Sequence, residues 1–272
     1  MIGSCVTVSL VPEARGGPFV FWDDLEAACG AAGQLGFDAI EIFPSNPRAI
    51  DPERTRKLLA DCGLRLGAMG TGAGWLLHHL TLTAADASAR SQARDFVGAV
   101  IDAAGALGAP AIIGSMQGRW QAETSRPEAI KLLGESLAPL AEQAARYGVP
   151  LLYEPLNRYE TNLVNRLADG VDFLRSLPTK NVRLLADLFH MNIEEADLAA
   201  SLVEAGAMVG HIHFVDSNRR PAGYGHLDFA PIGRALRDSG YQGLVSAEAY
   251  SYPDPLTAAT RTIEAYRKYI VG

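Results

Sequence analysis

Cysteine is scarce in this chain. Cys5, Cys29 and Cys62 are the three among 272 residues, and no two form a CxxC pair. An odd, scattered set of thiols argues against a disulfide framework and a cysteine-rich zinc site, and it fits a reducing cytoplasm. Positive charge is short as well: 24 Lys and Arg face 31 Asp and Glu, a net charge of −7. That balance excludes the basic footprint of a nucleic-acid binder. The uncharged stretch from Ala103 to Gly118 is broken by Gly and Pro. It falls short of the roughly 18 apolar residues that span a bilayer, so no membrane segment is expected. The opening MIGSCVTVSLVPEAR carries no positive charge before its apolar run and reads as a first strand, not a secretory signal. Phosphate loops of the GKS or GKT type, HExxH and GxSxG are absent, and the glycines of GAMGTGAG do not fit GxGxxG. Those glycines suit a loop that approaches a ligand closely.

What the sequence has is alternation. Short runs rich in Val, Ile and Leu lie at 2–10, 39–43, 64–70, 111–115, 149–154, 182–187, 209–214 and 244–248. Helical periodicity fills 22–35, 52–62, 87–107, 127–147, 167–177, 194–205, 231–239 and 255–270. Joints such as LGFDAIEIF, CGLRLGAMG and YGVPLLYEP place a helix-ending Gly just before the next strand. Eight strand-helix units with no linker or composition shift between them predict one (β/α)8 TIM barrel domain over residues 1–272. An open doubly wound sheet, with its usual five or six strands, fits less well.

Active sites of such barrels lie at the C-terminal ends of the strands. Here strand five ends in Glu154, strand six in Asp187 and strand eight in Glu248, while strand seven carries His211 and His213. The intervals 154–187, 187–213 and 213–248 are 33, 26 and 35 residues, each about one unit. Ionisable groups after apolar strands are costly to bury unless they pair or hold a cation. Two Glu, one Asp and one His form a hard, oxygen-rich set suited to Mn2+, Mg2+ or Co2+. A buried ion-pair network is the alternative reading. His211, two residues before His213, shares its strand face deeper in the barrel, as a partner behind the ligands or as a satisfied core histidine.

The segments EPLNRYET, ADLFHMNIEE, HIHFVDSNR and SAE resemble the sugar isomerase and epimerase family with xylose isomerase-like barrels, in its ketose 3-epimerase branch acting on D-tagatose, D-psicose and similar ketoses. AMGTGAGW, LTLT and IIGS extend the resemblance toward members acting on keto-sugar acids such as 5-keto-L-gluconate. The resemblance implies Glu154, Asp187, His213 and Glu248 as metal ligands, with Glu154 and Glu248 doubling as the acid/base pair. It implies Glu160, His190 and Arg219 as substrate-holding residues. Mn2+ is the cofactor first expected, with Mg2+ or Co2+ as alternatives, and the partners implied are a small sugar and further copies of the chain in a homodimer or homotetramer.

The expected chemistry is inversion at C3 of a ketose or keto-sugar acid, by deprotonation and reprotonation through a metal-bound enediolate between two glutamates. Two rivals share parts of this pattern. A hydroxypyruvate isomerase-like aldose-ketose isomerase would use similar carboxylates. An endonuclease IV-type nuclease needs histidines after strands three and four, where this chain reads AMGTG and IIGSMQG. Further side chains lie near predicted strand ends. His226 and Asp228 are lid, supporting or helix-capping residues; Trp22, Trp75 and Trp120 are sugar-stacking or packing residues; Arg119 is a candidate for a substrate carboxylate or phosphate.

Overall fold

In the computed structural model, which describes residues 1–122 and 124–272, eight parallel strands close into a ring. They are β1 (Gly3–Ser9), β2 (Ala39–Phe43), β3 (Arg65–Gly70), β4 (Ala111–Ile113), β5 (Leu151–Tyr153), β6 (Val182–Asp187), β7 (Val209–His213) and β8 (Leu244–Ala247). Each pairs with its successor, and β1 pairs with β8 from Gly3 opposite Leu244 to Val6 opposite Ala247. The fold is the closed TIM barrel expected from the repeats.

The strands are buried on both faces, which is why they read as nearly continuous apolar runs. Ile40, Ile42 and Ile113 from the sheet are fully buried, as are Leu133 and Leu137 of the helix Arg126–Ala145. Each such side chain contributes about 1.5–3 kcal/mol through removal from water. The joints follow the glycine signal: Gly36, with φ of 82°, ends the helix Leu25–Leu35 and turns the chain into β2.

Four elements depart from the sequence reading. The helix expected from Trp22 begins at Leu25, because the Asp24 side chain accepts from Ala27 N–H at 2.9 Å and starts it there. Phe21–Trp22 instead form a short extra strand beside β1, too brief to show a period. The stretch read as one helix over 194–205 belongs to two, Leu188–Glu194 and Leu198–Ala205, capped by Asp187 and Asp197 respectively. The glycine-rich segment after β3 leads into a helical turn, Ala73–His78. No helix among the described residues is long and apolar enough to cross a membrane.

Candidate functional site

Four consecutive strands deliver one acidic or imidazole group each to the C-terminal mouth of the ring. Glu154 follows β5 directly, and its N–H donates to the carbonyl of Ile113 at 3.0 Å, which continues the ladder by one residue. Its carboxylate needs room beside β4. A Cβ on Gly114 would stand 2.6 Å from Oε2 of Glu154, so the residue after that strand has to be glycine for the carboxylate to sit where it does. Asp187 ends β6 and divides its carboxylate. Oδ1 accepts from the N–H of Phe189 at 2.8 Å and caps the next helix, while Oδ2 faces Nδ1 of His213 at 3.1 Å. His213 ends β7, and the same Nδ1 lies 3.5 Å from Glu154 Oε1 and 3.5 Å from Glu248 Oε2. Glu248 follows β8.

One atom from each of these four residues lies within 4.8 Å of all the others. Three carboxylates so close repel one another, and the effect is visible in their acidities. Burial, against the pull of His213, pushes the Glu154 carboxyl up to about 8, and the charges of Glu248 and Asp187 add to the rise. Burial raises Glu248 too, although His213 and Arg219 oppose it. Asp187 goes the other way: burial works against it, but the Arg219 guanidinium and His190 hold it well below the usual carboxylate range. Burial likewise opposes the charge on His213, and Glu248 and Glu41 outweigh it to raise His213 well above an ordinary imidazole. Oε1 of Glu154 is buried without a hydrogen-bond partner. A hard, mostly oxygen donor set with mutual repulsion and an orphaned buried oxygen fits a divalent cation.

Above this cluster a cavity of about 440 Å³ opens at the mouth of the barrel, a size suited to a small molecule. Arg219 lines it from the loop after β7, with its backbone in the left-handed region at φ 59°. Its guanidinium pairs closely with Oε2 of Glu248, reaches Nε2 of His190 at 3.2 Å and lies 4.7 Å over the ring of Phe189. His190 stands on the helix that Asp187 caps, and burial drops its imidazole to about 3, leaving it neutral. Asn157 holds the other side of that ring, with Nδ2 2.7 Å from Nδ1 of His190, and the same amide donates to Glu160 Oε1 at 3.0 Å. Glu160 itself is half-exposed on the cavity wall. The opposite wall is apolar, built from Phe19, Phe43, Trp75 and Leu76, with the rings of Phe19 and Phe43 stacked at 4.8 Å.

All seven residues that the sequence resemblance singled out therefore meet at one mouth. Others lie apart from the cavity lining. Asp228 caps the helix Phe229–Asp238 by accepting from Ala230 N–H at 3.0 Å, and His226 Nδ1 pairs with the Ser217 hydroxyl at 2.9 Å. Arg119 donates to the carbonyl of Tyr159 at 3.0 Å, so its charge serves a loop contact. Trp22 donates to Ser251 Oγ at 3.0 Å and packs edge-on against Phe19, while Trp120 bonds through its backbone to Asn162. Trp75 alone of the three tryptophans lines the cavity. Several residues went unread, among them Asn157, Phe19 and Phe43 and, most deeply placed, Glu41 from the middle of β2, which is buried beneath the cluster with Oε2 2.9 Å from His211 Nε2 and Oε1 3.3 Å from His213 Nε2. Its alternation in AIEIF, polar between two isoleucines, was the available signal.

Known proteins resemble this chain in sequence and fold. Among curated sequences, the L-ribulose 3-epimerase of Methylomonas sp. is 31% identical over 246 residues, which cover 87% of this chain and 84% of that protein. The D-psicose 3-epimerase of Agrobacterium fabrum is 33% identical over 226 residues, covering 80% and 76%. Among solved structures, an L-ribulose 3-epimerase superposes with a TM-score of 0.84 at 26% identity, covering 100% of this chain and 95% of that one. The family described as xylose isomerase-like TIM barrel matches residues 29–269. With the barrel, the strand-end cluster and this match together, the chain belongs to the xylose isomerase-like TIM barrel family.

Proposed function

We propose that this protein is a divalent-metal-dependent epimerase that inverts C3 of a ketose or keto-sugar acid. The observation that carries the reading is the pair of carboxylates, Glu154 and Glu248, brought by β5 and β8 to within 4.8 Å of one another at the cavity floor. It is supported by relatives of the same length class that are named as L-ribulose and D-psicose 3-epimerases.

Epimerisation beside a carbonyl removes a proton from one face of C3 and returns one to the other, so it needs two groups able to exchange roles. In our reading one glutamate accepts the C3 proton, the other supplies its replacement, and the roles reverse for the opposite direction. The two must titrate as a unit, one protonated and one charged in each half-reaction. Arg219, paired with Glu248, would hold that carboxylate in position and donate to oxygens at C1 or C2. Neutral His190 would donate to the carbonyl oxygen, with Glu160 accepting from a neighbouring hydroxyl. A divalent cation held by Glu154, Asp187, His213 and Glu248, manganese first and magnesium or cobalt as alternatives, would polarise the carbonyl and offset the negative charge of the enediolate. The apolar wall of Phe19, Phe43 and Trp75 would cover the far end of the sugar and exclude water. The proposal extends to one domain over residues 1–272, a homodimer or homotetramer and a cytoplasmic setting.

Turnover of a panel of ketoses and 5-keto acids with Mn2+ in D2O tests the reaction. Product labelled at C3 with inverted configuration is expected. An aldose carrying the label at C2 would instead establish the isomerase chemistry and end the epimerase reading.

A further inference from the structure

Beneath the cluster, Glu41 and His211 form a buried layer, with Glu41 at the bottom of the cavity. Glu41 projects from the middle of β2 and is 4% exposed, and its carboxylate spans two imidazoles from the far side of the ring. Oε2 lies 2.9 Å from Nε2 of His211, and Oε1 lies 3.3 Å from Nε2 of His213. The opposite nitrogen of His213, Nδ1, is the one turned toward Asp187, Glu154 and Glu248. A neutral imidazole that offers one nitrogen to a cation keeps its hydrogen on the other. That hydrogen needs a fixed acceptor, or the ring is free to present the wrong nitrogen or the wrong angle. Nε2 of His213 is buried and makes no aligned hydrogen bond, although the Glu41 carboxylate stands within reach. A small rotation of the ring toward Oε1 would complete the contact.

We infer that Glu41 is a positioning residue: it receives the Nε2 hydrogen of His213, so that Nδ1 is the nitrogen presented to the cation. His211 occupies the second oxygen of Glu41 and fixes the carboxylate plane. The inference rests on the metal-site reading above, but it concerns a residue outside the group of Glu154, Asp187, His213 and Glu248. The alternative roles for Glu41 are to satisfy the buried His211, a purely structural task, or to join His211 and His213 as ligands of a second ion, since these three also converge.

Metal-stripped protein titrated with Mn2+, followed by the free-ion signal, separates these roles. Glu41→Gln keeps the shape and removes the charge, and about a 10–100-fold loss of Mn2+ affinity is expected. The KM for the sugar at saturating Mn2+ should stay within about twofold of wild type, since Glu41 sits at the bottom of the cavity with its carboxylate turned to Nε2 of His213 and Nε2 of His211. His211→Gln leaves Glu41 facing His213, so its Mn2+ affinity should change far less. Equal losses in the two variants, or none in a folded Glu41→Gln, would overturn the inference. So would a second equivalent of Mn2+ that disappears in Glu41→Gln while the first binds as before. If Glu41→Gln does not fold, Glu41→Asp decides, because a carboxylate drawn back by one methylene should still weaken binding, and unchanged affinity refutes the role. Wild-type protein that binds no divalent ion would overturn the metal-site reading itself, and this inference with it.

Discussion

The two halves of the barrel contribute unlike things to one cavity. Strands β5 to β8 and their loops bring Glu154, Asp187, His213, Glu248, His190 and Arg219, so most of the charge comes from one side. The β1 to β4 side brings Phe19, Phe43, Trp75 and Leu76, with glycines at 70, 72 and 114 where side chains would collide. A Cβ on Gly72, for example, would lie 2.9 Å from the Phe43 ring. The division teaches that chemistry and selection are separable in this fold. In the proposed reaction the second half would supply the proton transfers, and the first half would shape what fits beside them. Glu13 and Arg15 add charge at the rim from the first half, and Glu41 is the one from that half that faces His213 from below.

If that division is real, damage to the two halves should differ in kind and in size. The largest loss is expected from Glu154→Gln and Glu248→Gln, each lowering kcat by at least about 10²–10⁴-fold with the fold intact by circular dichroism. Near-normal turnover in either would end the two-glutamate scheme.

Next in size is the response of metal binding to pH. Without a cation the Glu154 carboxyl sits at about 8, raised from 4.5, so it is mostly protonated at neutral pH and must give up that proton to become a ligand. Apparent Mn2+ affinity should therefore rise with pH toward pH 8, by up to about tenfold per pH unit for each proton released, with His213, also raised, adding a second proton to release. Calorimetric titrations in buffers of different ionisation enthalpy would count those protons. A flat profile from about pH 6 to 8 would show that Glu154 does not ligate.

The smallest effect is expected on the apolar wall. Phe43→Ala removes the ring stacked on Phe19, an interaction of about 0.5–1.5 kcal/mol. Because the proposed reaction puts C3 at the two glutamates and the wall across the cavity from them, the loss should appear in KM and in the ranking of sugars, up to about tenfold, while kcat at saturation changes little. A kcat loss as large as that of Glu154→Gln would erase the division between the halves.

The charged half was legible in the sequence because carboxylates directly after apolar runs are conspicuous, and intervals of 33, 26 and 35 residues spaced the four about one unit apart. Glu41 escaped for a physical reason. In AIEIF a single polar residue between isoleucines reads as one face of a half-exposed strand, and only closure of the ring brings it against His211, 170 residues away. The left-handed backbone of Arg219 was equally hidden, since nothing local marks an arginine for that conformation. Arg119, a candidate for a substrate anion from its position after β4, lies outside the cavity lining and donates to the Tyr159 carbonyl, 40 residues on. The helices at 188–205 were blurred because the cap of the first, Asp187, is also the final residue of a strand.

That shared aspartate has a mechanical consequence. One oxygen of Asp187 anchors the first turn of the helix bearing His190, and the other faces the cluster. The helix that carries His190 and the floor of the cluster are thus riveted together by one side chain a few bonds long, and a shift of either drags the other. Arg219, reaching both His190 and Glu248, ties the same two parts a second time from above.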